Sequence, residues 1–545
     1  MKQKKITKVK KGISLIVLII TIIVVIILAA AVILSLSKDG GIINKARYAK
    51  DEYNKIEYRD RINEAYTIVK NKQEMQGKSD REIFEEVKKS LNFDKAKYEI
   101  SDKSMNITTK EGYEYTLIGD GNIYDEKVAI LDIAEGNIDL YSTGYKQYTG
   151  ALQGLNKNGA TTYTGKYIIT GTTTENVVRV CDVGKYDITI KDLNIKVEEK
   201  NGYCAFNANR GNKERGCLVN IKLEGENYLY GGAGAPGLGF AGATPNIEGE
   251  NNGSTLTIDG IGKLVAGRNS KGYEAAIGSG YSGYECAAGQ VSNIIINGGN
   301  IIAGESIWDS HGAGIGAALH GKVNNIVING GNISATGGGY SSAIGGTSTV
   351  DNLIINGGNI RAYASWSNSG IGGANGSVKI TGGNIFSTGS TFGGYEKAAI
   401  GQNCNVIIEG GTIKTDSPKH TGIFKGENTN VKITGGNLLL GGIGDIGTIN
   451  SDKQFVQGYA KNNESKVYKT QIKLQNIGEN KKIESLTTSD GIQYGVNDMY
   501  TLEDGMLYMY LPLGKREITI KVDGKTYKGE VETTEEQHSI ILNQI

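Results

Sequence analysis

The hexapeptide Ile-Asn-Gly-Gly-Asn-Ile occurs three times without change, at Ile296–Ile301, Ile328–Ile333 and Ile355–Ile360. Near-copies begin at Ile380, Ile408 and Ile433, so the first glycine of each pair falls at residues 298, 330, 357, 382, 410 and 435. A second motif, two small residues followed by Ile-Gly, alternates with it at Ala275–Gly278, Ala313–Gly316, Ser342–Gly345, Ser369–Gly372 and Ala398–Gly401. Self-similarity at a period of roughly 20–50 residues marks a repeat architecture in which each unit buries its apolar side only against its neighbours.

The repeat is too short for a four-stranded propeller blade, and Leu is not at the offsets of a leucine-rich repeat. In Asn293–Gly304, Ile294 and Ile296 share one side of a strand, and Ile301 and Ala303 share one side of the next. Gly298-Gly299 stands at the bend between them, where a side chain has no room. The Ile-Gly piece supplies a third, narrow face. These features predict a parallel β-helix, a solenoid of about ten coils, over residues 136–450. Asn300, Asn332, Asn359, Asn384 and Asn437 repeat at one position. They are expected to stack at about 4.8 Å with their amides bonded up and down. The high glycine count, 79 against 4 prolines, fits many tight turns rather than disorder.

Outside the repeat the chain changes character. Residues 1–12 carry six Lys and no acid, and Ile13–Leu36 is uncharged over 24 residues. A helix of that length spans a bilayer, with the basic leader on the cytoplasmic side. The expectation is a single-pass protein of the cell membrane with the bulk of its chain extracellular. Residues 37–78 read as an amphipathic helical stem, with Ala46, Ala49, Tyr53, Ile56, Ile62 and Val69 at helical spacing. Residues 79–135 read as a small α+β spacer opened by the capping box Ser79-Asp80-Arg81-Glu82. Residues 451–466 break the period as a linker, and 467–545 alternate as a C-terminal β-sandwich. The whole is mostly β.

Lys10-Lys11-Gly12, then Ile13-Ser14-Leu15-Ile16 and the apolar helix, resemble the N-terminus of type IV pilin-like proteins. The resemblance implies cleavage after Gly12 by a prepilin peptidase and methylation of Ile13. That family usually places Glu at the fifth mature position, where this chain has Val17. The repeated Gly-Gly-Asn turns, the Ala-Ile-Gly pieces and the segment beginning at Thr161 are similar to the right-handed parallel β-helix domains of Gram-positive surface proteins, including carbohydrate-binding ones. That resemblance implies noncatalytic binding of a polysaccharide or a cell-surface partner. A structural pilin-like subunit or stalk is the second reading, and a polysaccharide lyase the third.

The segments before the Ile-Gly pieces each hold an aromatic residue: Tyr273, Trp308, Tyr340, Trp366 and Tyr395, with Asp309 and His311 beside them. Aligned, these rings form a strip with apolar faces and polar rims, a surface on which a pyranose stacks. The competing reading has the rings packed on one another to stiffen the corners. No catalytic residue, metal or other cofactor is indicated. There is no CxxC, and the four His are scattered at 311, 320, 420 and 538. The net charge of +1 and the absence of a phosphate-binding loop give no sign of nucleic acid or nucleotide. Cys204 and Cys217 either pair in an exported protein or, with the other cysteines, serve as small buried apolar groups.

Overall fold

A computed structural model describes residues 42–545 apart from 210–216, 241–253, 269–271, 281–289, 305–310, 366–367, 390–397, 402–403, 417–430, 441–467, 491–499, 502, 512 and 535–537. The basic leader, the apolar segment 13–36 and the Gly12–Ile13 site lie outside the described residues. Among those described, no helix is long and apolar enough to cross a membrane.

The chain forms two compact units, Met1–Val128 and Ala129–Ile545. The boundary falls before the expected residue 135, because Val128–Asp132 and Asn137–Tyr141 join the sheets of the second unit.

In the first unit, helix α1 (Ile42–Lys70) gives way to a 3-10 turn at Gln73–Met75, so the stem stops short of residue 78. Helix α2 (Asp80–Leu91) starts on the expected box: the Ser79 hydroxyl accepts from the Glu82 amide, and the Glu82 carboxylate accepts from the Ser79 amide at 3.0 Å. It ends at Asn92 in the left-handed region, φ 42°. An antiparallel meander follows through Lys97–Ile100, Ser104–Thr108, Glu114–Ile118 and Ile123–Tyr124. Ile62 and Val69 of α1, Phe84 and Val87 of α2, and Met105 and Leu117 of the sheet share one core. The remaining stem residues do not follow the expected face. Ala46, Ala49, Tyr53 and Ile56 are exposed, because the core is built on the C-terminal part of α1 alone.

The second unit is dominated by a large parallel sheet system whose strands pair coil upon coil. Tyr167, Ile188, Ile221, Ile258, Ile296, Ile328, Ile355, Ile380, Ile408 and Ile433 stand in one unbroken register column, ten positions deep. Ile294, Ile296, Ile301 and Ala303 are all fully buried, as their alternation requires. A second face runs through Glu226–Gly231, Lys263–Arg268, Asn300–Ala303, Asn332–Thr336, Asn359–Tyr363 and Asn384–Thr388. The Ile-Gly pieces form the third, with Ile277, Ile315, Ile344 and Ile371 in parallel register. Their glycines, Gly278, Gly316, Gly345 and Gly372, have φ of 126–135°. A Cβ on Gly316 would lie 1.9 Å from the Gly345 carbonyl oxygen. The motif is therefore written in glycine because the coils touch there.

The asparagine ladder differs from expectation. Asn300, Asn332, Asn359, Asn384 and Asn437 do share a register column, with Thr412 between the last two. Among the described residues one amide bond runs along it, Asn359 Nδ2 to Asn332 Oδ1 at 2.9 Å. The longer chain of bonds lies three residues earlier: Asn329 to Asn297 and Asn356 to Asn329, both 2.8 Å, then Thr381 Oγ1 to Asn356 at 2.7 Å. Those side chains precede the glycine bend.

Asn137–Tyr141 and Gly144–Tyr148 form an antiparallel hairpin at the start of the third face. Beneath it, Arg179 is fully buried and donates from Nε and Nη2 to the two Asp139 carboxylate oxygens, both at 2.6 Å. At the other end of the chain, in the region expected as a β-sandwich, six strands from Tyr468 to Gln544 form two paired sets. The last strand, His538–Gln544, joins them. It pairs with Tyr468–Leu474 through its first residues and with Lys525–Thr533 through its last. The linker 451–466 lies outside the described residues. Cys204 and Cys217 are buried as separate thiols, and burial pushes the Cys217 thiol up to about 12.

Candidate functional site

The corner that leads into the third face brings together three of the candidate residues. Tyr273, His311 and Tyr340 each stand four residues before the isoleucine of an Ile-Gly strand, Ile277, Ile315 and Ile344. Register along that face therefore carries them into one row. The rings of Tyr273 and His311 stack at 5.0 Å between centroids and 26° between planes. His311 and Tyr340 follow at 4.9 Å and 40°. Backbone bonds fix the corners to one another: His311 N to Gly272 O at 2.9 Å, Leu319 N to Tyr273 O at 2.8 Å, and Gly338 N to Gly312 O at 2.9 Å. Asn368, in the next coil, extends the same stitching by donating its amide to Tyr340 O at 3.1 Å.

The rings pack on one another and also face solvent. Tyr273 is 40% and Tyr340 47% exposed, with His311 half-buried between them. Mutual stacking thus orders a corner whose rings remain partly exposed.

The sequence places His311 beside the strip, and in the structure His311 itself stands in the row between Tyr273 and Tyr340. Trp308, Asp309, Trp366 and Tyr395 lie outside the described residues.

Beside Tyr273, Glu274 points inward and is fully buried, and its carboxyl oxygens have no hydrogen-bond partner among the described residues. Burial raises its pKa above the ordinary value, against the opposing pull of the Arg268 charge. Arg268 is tied to the same corner, donating from Nη1 to the Glu274 carbonyl at 3.0 Å. The corner is held from within by a carboxyl that burial favours in its neutral form. Among the described residues no three His, Cys, Asp or Glu side chains gather in a way that would hold a metal ion.

Compared with known protein families, curated proteins and solved structures, the chain matches none.

Proposed function

We propose that this chain is a single-pass surface protein whose right-handed parallel β-helix binds polysaccharide, or a surface partner, without catalysis. The observation that carries this reading is the exposed row of stacked rings, Tyr273, His311 and Tyr340, set on a rigid parallel scaffold. Sugar rings stack on such faces at little conformational cost, because the protein rings are already ordered by one another. Residues 13–36 hold the protein in the membrane, the basic leader stays inside, and the solenoid lies outside. A prepilin peptidase cutting after Gly12 is the proposed processing partner.

Glycan-array binding by the full chain in detergent tests the proposal. The double variant Tyr273→Ala/Tyr340→Ala removes two stacking faces, each worth about 0.5–1.5 kcal/mol beyond buried area, so binding should weaken at least about fivefold. Wild-type chain that binds no glycan, or a folded double variant that binds as well as wild type, sinks the idea.

The first unit supports the second reading, a pilin-like subunit or stalk. A long helix packed on an antiparallel meander is the arrangement expected of a shaft with a small head. Recovery of the protein in sheared filaments with Ile13 as its first residue would favour it.

A further inference from the structure

The second face carries a groove that the aromatic row does not use. It has a volume of about 680 Å³ and crosses the outward side of five successive strands. Along a strand, side chains alternate in and out, so the residues between the buried isoleucines and alanines form outward columns. One such column reads Ser334, Arg361, Phe386, Lys414 in direct register. Its neighbour on one side is the asparagine column, Asn332 and Asn359 among it, and on the other side stands Tyr363.

Each part of this surface has a chemistry. Tyr363 and Phe386 meet edge to face at 5.9 Å and 61°, giving one fixed aromatic corner. Lys414 Nζ lies 6.0 Å from the Phe386 ring centre. Arg361 and Lys414 are exposed, and among the described residues neither forms an ion pair and no carboxylate lines the groove. The exposed asparagine amides spend one donor and one acceptor on the Asn359–Asn332 bond and retain further donors and acceptors for a ligand. At about 4.8 Å per coil, Arg361 and Lys414 are separated by about 10 Å along the stack, with the Phe386 ring between them.

We propose that this groove binds an anionic polysaccharide laid along the stack, a sugar ring on Phe386 and Tyr363 and acidic groups on Arg361 and Lys414. The guanidinium takes a planar or tetrahedral oxyanion in bidentate fashion. The amide column takes the hydroxyls. Carboxylates of a uronic acid polymer and phosphates of a polyol-phosphate polymer share this chemistry. The site is independent of the ring row, since it uses different residues on a different face.

The test is titration calorimetry on the full chain in detergent micelles with three probes of equal length: an oligouronate, a glycerol-phosphate oligomer and a neutral β-glucan. At least one charged probe should bind at least about tenfold more tightly than the neutral one, and which one binds identifies the source. Its affinity should fall as salt rises. Arg361→Gln/Lys414→Gln should weaken that binding at least about tenfold. The proposal is overturned if neither charged probe binds, if the neutral probe binds as tightly, or if the Gln pair retains wild-type affinity. Because both Gln positions are outward, their far-UV melting curve should match wild type. Should it not, the salt dependence on the wild-type chain still decides: salt-independent binding overturns the proposal.

Discussion

The glycine column of the third face makes a sharp demand on stability. At Gly345, φ is 126°, and an added Cβ would sit 1.9 Å from the Gly372 carbonyl oxygen. An ordinary contact would need more than about 1 Å of extra separation. The backbone bonds Ala317 N to Gly345 O at 2.9 Å and Gly346 N to Gly372 O at 3.2 Å hold the coils at their present distance. Gly345→Ala therefore incurs two costs. Holding a non-glycine residue in that backbone region costs about 1–3 kcal/mol. Overpacking a close contact, or losing the bond that must yield to relieve it, costs about 1–3 kcal/mol more. The sum is about 2–6 kcal/mol, felt first by the coils on either side because the stack is coupled to nearest neighbours. Gly154 provides the matched control: it has no positive φ and nothing within 4 Å of its added Cβ, so Gly154→Ala should stay within about 0.5 kcal/mol of wild type. Hydrogen exchange at the amides of residues 344–346, alongside urea unfolding followed by far-UV circular dichroism, measures both. If Gly345→Ala falls within about 1 kcal/mol of Gly154→Ala, close coil approach is not why the motif ends in glycine.

Two further predictions concern buried charge. Asp139→Asn should destabilise the second unit by about 3–5 kcal/mol in urea unfolding, because it leaves the fully buried Arg179 uncompensated. Arg179→Met/Asp139→Leu should recover most of that loss, and a double variant as unstable as the single would refute the account. Glu274→Gln should flatten one branch of the stability–pH curve. Burial raises the carboxyl's pKa in the fold, so the unfolded chain releases its proton first. Wild type is then favoured below the ordinary carboxylate value and loses stability as pH rises through it toward the folded value. The variant should therefore gain on wild type as pH rises above the ordinary carboxylate value, and equal pH profiles would refute the assignment.

What could be read in advance depended on how much a residue's surroundings are fixed by its own chain neighbourhood. The inward isoleucines were legible because strand alternation and stacking leave them one place to go: Ile294, Ile296 and Ile301 are buried as their spacing demands. The Gly-Gly bend and the Ser79 capping box were legible for the same local reason. The hydrogen-bonded ladder was placed three residues late. Asn297 recurs only at 329 and 356 while Asn300 recurs at 332, 359, 384 and 437, so the longer run in sequence is not the column that carries the longer chain of bonds. The place of His311 between Tyr273 and Tyr340 was not legible from its residue type, because it follows from register with its neighbours. The groove of Arg361, Phe386 and Lys414 was not legible at all. Its members lie in different copies of the repeat, at positions where the copies differ, and become neighbours only through the stack.

The unbroken isoleucine column has a consequence for how such a molecule changes over time. Successive Gly-Gly pairs are separated by unequal lengths of chain, at 298, 330, 357, 382, 410 and 435, yet Ile296, Ile328, Ile355, Ile380, Ile408 and Ile433 still meet directly. One residue of the unevenness is absorbed at the register shift between Val350 and Leu353; the rest falls between the paired strands, where doubling a loop costs only about 0.6 kcal/mol. Every outward residue thus has an address made of two coordinates, its coil and its column, and an insertion in one corner alters neither coordinate of any other residue. The solenoid behaves as a pegboard: pegs can be exchanged, and the rim of each row lengthened, while the grid that sets their spacing stays fixed.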